Sequence, residues 1–448
     1  MKMLFFLLQK RISVAAVIVV IVIVVGLFIA TEPVLSQTNR DVLCAGVVRI
    51  DITPEKPVHM SGYSRPEGLS QGVHDPLSAR VVAWENKGKR LVLISTDILG
   101  FYNGTADYLR KHILDEFKLK PSELFLSAVH THSGPELAID KTKSHANNLE
   151  YTKGLKDKLI KAIREAFRKM EPVHIGVGAG CSPVGINRRE MRIDGTGWPK
   201  ASKFIKCGRN PYGPTDKEVL VMKVAKPDGT TLAVLFDYAC HSTALGNKSY
   251  IFSGDLLGLA EQFVERILGP DVTAPAFAGA SGDINPWVCT LPEFNTEPGW
   301  IPEPVLLATM LGEEVVTIFR DIKTLTPGGE ISTAFITMEL PKKKSEIRGY
   351  KIPESKGNTV SLNVIAGRVG DVAFIGFGCE VCTEIGMAIK AASPYKHTFV
   401  ITHCNGAASY LPTKDMHKEG GYEVISSPFA PQAADMVVKQ SLKMLYAL

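Results

Sequence analysis

The sequence predicts an α/β protein of the α+β type, in which helices cover mixed β-sheets. Two observations support this prediction. Pairs of strand-like segments are joined by short turns that contain glycine, at residues 86–88 and 228–229, as is typical of β-hairpins. Segments with apolar residues at helical spacing, such as residues 151–169, lie between these pairs. Hairpins mixed with helices argue against a strictly alternating series of strands and helices.

The predicted elements begin near residue 42. Apolar runs bounded by turn signals predict strands at residues 42–52, 79–84, 91–96, 219–225 and 231–238. Helical spacing predicts helices at residues 106–117, 151–169, 256–268, 305–319 and 381–392.

Five apolar runs end in residues that are capable of chemistry. These runs precede His130 and His132, the segment 240–242 with His241, the segment 281–285, the segment 378–380 with Glu380, and the segment 403–410 with Tyr410. Ligands bind outside the carboxyl ends of the strands in open sheets, and loops there carry function on a rigid base. We therefore expect these segments to form one site.

The histidine pair is the first of these features. In an extended chain His130 and His132 face the same side, because they are two residues apart. Imidazole is the commonest zinc ligand, although two buried histidines bonded to backbone carbonyls are the alternative. Three nitrogen or oxygen ligands with one open position suit hydrolytic zinc. The joint pattern therefore predicts a metal-hydrolase site.

A membrane segment is predicted near the N-terminus. Lys10 and Arg11 precede the uncharged run 14–30, and 17 residues of helix would reach about 25 Å, the short end of what crosses a bilayer. The positive-inside rule then places the remaining chain outside the cytoplasm. We expect a membrane anchor and linker in residues 1–40 and one extracytoplasmic catalytic domain in residues 41–448. A cleaved signal peptide, which would release a secreted protein, is the alternative.

Composition excludes several classes of protein. A hydrophobic content of 45% and a charged content of 22% are ordinary for a globular core. The formal net charge is +5, with no basic block interleaved with aromatic residues, so nucleic acid is not an expected partner. Eight cysteines are too sparse for a disulfide scaffold, and the pair Cys379 and Cys382 is interpreted as core.

The motifs occur in an order that resembles one known family. They are GVVRIDIT at 46–53, MSGY at 60–63, SAVHTHSGP at 127–135, INR at 186–188, His241, SGD at 253–255, GDINP at 282–286, GCE at 378–380, SYLPT at 409–413 and EGGY at 419–422. Together they resemble the neutral/alkaline, non-lysosomal ceramidases. The resemblance implies zinc-dependent hydrolysis of the amide bond of ceramide, which releases a sphingoid base and a fatty acid.

The resemblance also implies roles for individual residues. It makes the zinc ligands His130, His241, Glu380 and Tyr410. The residues that orient the water and the substrate amide are then His132, Arg188 and Tyr422. The implied partner is a ceramide-like lipid amide.

Two departures from the family bear on the mechanism and the substrate. Asn285 occupies the position of a serine that is sometimes given a catalytic role, and an amide cannot act as a serine-type nucleophile. The sequence ends at Leu448, so the C-terminal β-domain of the family is expected to be absent. A related metal-dependent amidase or esterase with another substrate, and a membrane-tethered binding protein without activity, are the alternatives.

Two other hydrolase classes fit less well. A metallo-β-lactamase would continue its histidine motif with aspartate and histidine, where this chain has Gly134 and Pro135. An amidohydrolase barrel would need a regular alternation of strands and helices, which the hairpins contradict.

Overall fold

Three β-sheets of four or five strands, three smaller sheets of two or three strands, and the covering helices build the part of the chain that the structure describes. The computed structural model describes residues 42–65, 68–194, 202–287, 303–343 and 357–448, which all fall within one unit, Arg40–Leu448. The predicted membrane segment, residues 14–30, lies outside them. Within the described residues, no helix is both long and apolar enough to cross a membrane.

The strands are named in chain order. The first eleven are β1 (Cys44–Asp51), β2 (Gly72–Val73), β3 (Ser78–Asn86), β4 (Lys89–Thr96), β5 (Leu124–Ala128), β6 (Glu171–Pro172), β7 (His174–Cys181), β8 (Gly185–Asp194), β9 (Ser202–Asn210), β10 (Glu218–Ala225) and β11 (Thr231–Tyr238). They are followed by β12 (Ile251–Phe252), β13 (Ala276–Ala278), β14 (Ile284–Pro286), β15 (Thr326–Pro327), β16 (Ile331–Pro341), β17 (Thr359–Val369), β18 (Val372–Phe377), β19 (Glu380–Val381), β20 (His397–Ile401) and β21 (Tyr410–Leu411).

The helices are also named in chain order. They are α1 (Thr105–Phe117), α2 (Ala146–Arg168), α3 (Asp255–Leu268), α4 (Glu303–Asp321), α5 (Thr383–Ala392), α6 (Met416–Glu419), α7 (Tyr422–Ser426) and α8 (Ala433–Tyr446), with a 3-10 turn at Pro121–Glu123.

The first two sheets pack face to face between helices. The first has the strand order β5-β4-β3-β1-β6, and the second has the order β13-β11-β10-β7-β15. Alternate residues of β3 face opposite sides: Val81 packs with α1 and α2, whereas Val82 packs with the second sheet. The other face of the second sheet packs on α3 and α4. The central strands are therefore buried on both faces, which explains their continuous apolar sequences.

The third sheet, with the order β16-β17-β18-β20, completes the fold. One face shares a core with the first two sheets through Phe374 and Phe399, whose rings stack at 5.0 Å between centroids. The other face is covered by α5 and α8, through residues such as Ile389 and Val437. All three sheets thus meet in one central apolar core.

The predicted α/β fold, with mixed sheets and covering helices, is confirmed. The predicted strands and helices are present, with ends that differ by a few residues. Helix α2 begins at Ala146, five residues before its predicted start, because the His145 side chain accepts a hydrogen bond from the Asn147 N–H at 3.2 Å. The hairpin β8–β9, the pair β16–β17 and helix α8 were not predicted.

Parallel strand pairs bring the carboxyl ends of the functional strands together. Strand β5 lies beside β4, β13 beside β11, and β20 beside β18, each in parallel. A bridge joins Thr131 to Ser242, and the parallel pair β19–β21 sets Glu380 opposite Tyr410. The segments that follow these strands therefore meet at one place.

Candidate metal centre

Three side chains from three strand ends meet at the candidate centre. Oε2 of Glu380 lies 3.5 Å from Nε2 of His130 and 3.4 Å from Nε2 of His241. All three side chains are buried. The backbone of His130 has a φ of 60°, a value that residues other than glycine rarely adopt. The chain therefore turns sharply where it leaves β5.

The second ring nitrogen of each of these two histidines is committed to a backbone carbonyl. Nδ1 of His130 donates to the Leu99 carbonyl at 2.7 Å, and Nδ1 of His241 donates to the Ser281 carbonyl at 2.8 Å. Because each proton sits on Nδ1, each Nε2 presents a lone pair to the centre. Burial, followed by the charge of Arg188, lowers the pKa of His241 to about 4, so this ring is neutral at pH 7.

This donor set fits a zinc ion. Two imidazole lone pairs face a carboxylate oxygen across less than 4 Å, an arrangement that repels itself without a cation. Two histidines and a glutamate are a known ligand set of hydrolytic zinc, which leaves a further position for water or substrate. The residues present therefore fit the predicted metal.

His132 lies beside the ligands. Its Nε2 is 3.2 Å from Nε2 of His130, and the Tyr63 ring packs against it at 4.7 Å between centroids. Gly62 makes this packing possible, because a Cβ there would lie 2.6 Å from Cγ of His132. Burial, and after it the charges of His130 and His241, hold the pKa of His132 well below its usual range. A neutral His132 can accept a proton.

Arg188 lies on the opposite side of the centre. Its Nη1 is 3.3 Å from Nε2 of His241 and donates to Oδ1 of Asn285 at 3.2 Å. Its Nε donates to Glu423 at 2.8 Å. Its Nη2 is buried and has no hydrogen-bond acceptor among the described residues. This guanidinium keeps one donor available for a ligand.

Tyr410 and Tyr422 enclose the guanidinium of Arg188. Cζ of Arg188 lies 5.4 Å from the Tyr410 ring centroid and 5.5 Å from that of Tyr422. Burial, with Glu380 adding to it, raises the pKa of Tyr410 well above its usual range, so the phenol is protonated. All seven predicted residues are thus brought together, and the ligand role of Tyr410 stays a prediction.

His403 was not among the predicted site residues, yet it joins the cluster. Its ring stacks on His130 with 3.7 Å between centroids and 12° between planes. With His130 and Glu380, His403 forms a group of side chains that could hold a metal ion. Nε2 of His403 is buried and has no hydrogen-bond partner among the described residues. The signal was present, because His403 follows one of the five apolar runs.

Two further residues support the cluster and were also missed. The Tyr102 hydroxyl donates to Oε1 of Glu380 at 3.3 Å. Glu423 binds both Arg188 and Arg189, at 2.8 and 2.6 Å. Neither contact has a local sequence pattern, since the partners are more than 200 residues apart in the chain.

A cavity of about 440 Å³ borders the centre. It reaches the cluster through Tyr63, which packs on His132, and through Tyr102, which contacts Glu380. Its polar lining groups belong to Ser61, Ser64, Asn103 and Glu136. The cavity is thus separated from His132 and Glu380 by the side chains of Tyr63 and Tyr102.

The sequence comparison decides the family. The sequence model of the family described as "Neutral/alkaline non-lysosomal ceramidase, N-terminal" matches residues 43–290. The chain belongs to this family. Neutral ceramidase B of Dictyostelium discoideum is 25% identical over 239 residues, covering 51% of this chain and 32% of that protein. Neutral ceramidase of Mycobacterium tuberculosis is 26% identical over 253 residues, covering 53% and 38%. The match therefore spans about a third of the length of these ceramidases.

Two solved structures share the fold. A crystal structure of neutral ceramidase from Pseudomonas aeruginosa aligns with a TM-score of 0.72 at 19% identity, covering 91% of this chain and 74% of that one. A ceramidase complexed with C2 aligns with a TM-score of 0.73 at 18% identity, covering 91% and 75%. At these identities the likeness shows the ceramidase fold.

Proposed function

We propose that the chain is a zinc-dependent hydrolase that cleaves the amide bond of N-acyl sphingoid lipids. One observation carries the proposal: Oε2 of Glu380 lies 3.5 Å from Nε2 of His130 and 3.4 Å from Nε2 of His241, and both Nδ1 protons are committed to backbone carbonyls. Membership of the ceramidase family supports the choice of an amide substrate.

Zinc would be held by His130, His241 and Glu380, with Tyr410 as the proposed fourth ligand. Bound there, zinc supplies a Lewis acid that polarises a carbonyl and lowers the pKa of water from 15.7 to about 7. The hydrogen bonds of the two Nδ1 atoms would stay in place, because each Nδ1–H already points away from the centre. The Nε2 atoms would exchange their contacts with Arg188 and His132 for the metal.

His132 is the proposed proton carrier. Its Nε2 faces the ligands, and its lowered pKa keeps it neutral before reaction. It accepts the proton of the attacking water and then delivers this proton to the nitrogen of the leaving amine. The carbon–nitrogen bond breaks as the carbon–oxygen bond of the fatty acid forms, so atoms and charge balance.

Arg188 and Tyr422 are the proposed donors to the oxyanion. The buried Nη2 of Arg188 has no acceptor among the described residues, and the Tyr422 ring packs against the same guanidinium. A well-placed donor of this kind stabilises the transition state by roughly 3 to 4 kcal/mol. Asn285 accepts a hydrogen bond from Arg188, so its proposed role is to orient the guanidinium.

We also propose that residues 14–30 anchor the chain in a membrane, with the catalytic part outside the cytoplasm. The sequence alone supports this proposal, through an uncharged run that two basic residues precede. Two separate experiments test it. Carbonate extraction of isolated membranes tests the anchor, and protease digestion of intact cells tests the side of the membrane. An anchored extracytoplasmic chain stays with the membrane and is digested from outside, and a chain that carbonate releases contradicts the anchor.

A second candidate is an amidase for a smaller or more polar N-acyl compound. The polar lining of the cavity by Ser61, Ser64, Asn103 and Glu136 favours it. Both candidates use the same centre and differ only in the substrate.

Incubation of the purified full chain with N-acyl sphingoid lipids, simple N-acyl amines and esters tests the proposed function. Mass spectrometry should detect free sphingoid base, and the His241→Ala variant should release none. Cleavage of simple amides alone would favour the second candidate. Absence of cleavage of every amide and ester by a zinc-loaded protein would contradict both.

A further inference from the structure

The β8–β9 hairpin carries apolar side chains that are exposed close to the metal centre. The exposed fractions are 57% for Met191, 65% for Ile193 and 42% for Phe204, and on α7 they are 41% for Tyr422 and 51% for Ile425. We name these five residues the rim patch. Large apolar side chains grouped in this way mark an interaction surface more often than single exposed ones do.

The rim patch covers both faces of the β8–β9 hairpin and adjoins α7 on one of them. Met191 and Ile193 share one face of β8, and Met191 is paired with Ile205 on β9. Gly421, which directly precedes α7, packs so closely that a Cβ there would lie 2.9 Å from Cγ2 of Ile205. Phe204 is paired with Arg192 and faces the other side of the hairpin.

The rim patch lies next to the candidate metal centre, because Arg188 and Tyr422 connect the two. Strand β8 contains Arg188, which contacts His241, and Met191 follows three residues later, about 10 Å along an extended strand. Tyr422 packs against Arg188 from the α7 side. A bilayer that contacts the rim patch would therefore lie close enough for one lipid substrate to reach from the bilayer to the centre.

The charges around the rim patch favour an anionic surface. Strands β8 and β9 contain six Arg or Lys residues and two Asp or Glu residues. Arg188 and Arg189 pair with Glu423, but basic residues still outnumber acidic ones in the rest of the hairpin. Exposed Arg192 and Lys206 lie beside Phe204 on its face of the hairpin, where Arg192 also pairs with Glu190. Apolar side chains bordered by cations are typical of segments that lie in the interface of an anionic bilayer.

A second copy of the chain fits the rim patch less well. Five side chains about half exposed present on the order of 400 Å², since a large side chain has about 150–250 Å² in all. A stable dimer buries about 800 Å² on each partner. A bilayer needs no complementary shape and accepts such a small apolar patch.

We propose that the rim patch inserts into the interface of an anionic lipid bilayer and holds the metal centre at the membrane surface. Its use in catalysis rests on the proposed hydrolysis of an amphiphilic amide, whereas the insertion itself does not. The segment 195–201 lies outside the described residues and is not part of the rim patch.

Fluorescence quenching tests the insertion directly. The full chain is incorporated into vesicles of phosphatidylcholine and phosphatidylglycerol in equal parts, with bromine on the acyl chains. Ile193→Trp places a fluorophore in the rim patch, and Met310→Trp on α4 is the matched control, because Met310 is also exposed, at 43%. We expect strong quenching at position 193 and little at position 310. Equal quenching at the two positions would overturn the proposal.

Activity provides the second measurement. The Met191→Ser/Ile193→Ser variant should hydrolyse a vesicle-embedded amide at least roughly tenfold more slowly, because two apolar side chains no longer partition into lipid. Its kcat/KM for a short-chain soluble amide should stay within about twofold, since neither residue touches the reacting atoms. An equal loss on both substrates, or conversion of a wild-type dimer to a monomer in sedimentation, would contradict membrane docking. If the wild type hydrolyses neither substrate, the proposed function fails while the quenching result still decides the insertion.

Discussion

Glu423 accepts a hydrogen bond from Nε of Arg188 at 2.8 Å, and this contact turns Nη1 of the same guanidinium towards Nε2 of His241, 3.3 Å away. A residue that directly follows the EGGY segment (419–422) thus orients an arginine on β8. The pair is buried, so the guanidinium has little freedom to leave the centre. This fixed position keeps Nη2 of Arg188, which has no acceptor among the described residues, beside the candidate ligands.

Arg188→Ala should lower kcat by roughly 10²- to 10³-fold with zinc content unchanged, as expected for a lost oxyanion donor. Glu423→Gln should give a smaller loss, because Arg188 stays but is held less firmly. Steady-state kinetics with a soluble amide measure both effects, and Arg164→Ala on the exposed face of α2 is the control. A kcat for Arg188→Ala close to that of the control would remove Arg188 from the mechanism.

Asn285→Ala should keep most of the activity, within about twofold, because the residue contacts Arg188 and cannot act as a nucleophile. Asn285→Ser introduces the serine that the resemblance implies for this position and should behave in the same way. Parallel kcat measurements compare the two variants. If Asn285→Ala is as inactive as His130→Ala, the water mechanism proposed here is wrong.

His403→Phe should keep the stacked ring on His130 but remove the nitrogen that faces the cluster. We expect zinc affinity to fall about 10- to 100-fold, as it does when residues that support metal ligands are changed. Competition with a chelator measures the affinity, and circular dichroism checks that the fold is kept. Unchanged zinc affinity would make His403 a packing residue only.

Arg80→Met should destabilise the fold by about 3–5 kcal/mol, because buried carboxylates lose their cation. Arg80 is fully buried and binds Glu261 at 2.6 Å and Glu265 at 2.8 Å. Arg49→Met is the matched control, since Arg49 pairs with the same Glu265 from a half-exposed position and should cost less than about 1 kcal/mol. Urea unfolding measures both, and equal losses would contradict this explanation.

The sequence predicted what depends on local pattern. Strand ends such as the one before His130 are visible because an apolar run stops at polar residues, and the parallel pairing of the sheets then brings those ends together. The mixed fold followed from hairpins interleaved with helices for the same reason.

Features that depend on distant partners could not be predicted in this way. The sequence of strand β8 lacks a strand-like apolar pattern, because Arg188 and Arg189 are adjacent in it. Their burial depends on Glu423, which lies more than 230 residues later in the chain. His403 was visible as a residue at a strand end, but its stacking on His130 needs the bridge that joins Ser127 of β5 to Cys404. In the sequence, Arg80 is a charged residue within an apolar strand. Its burial is explained only by the three-dimensional structure, in which it pairs with Glu261 and Glu265 on α3.

Metal analysis of the purified chain tests the central claim most directly. Inductively coupled plasma mass spectrometry on the wild type, His130→Ala and His241→Ala measures zinc per chain, with Arg164→Ala as a control for handling. We expect about one zinc in the wild type and in the control, and close to none in the two histidine variants, because each removes one of the convergent nitrogen ligands. Equal zinc in all four proteins would contradict a metal centre built on His130, His241 and Glu380.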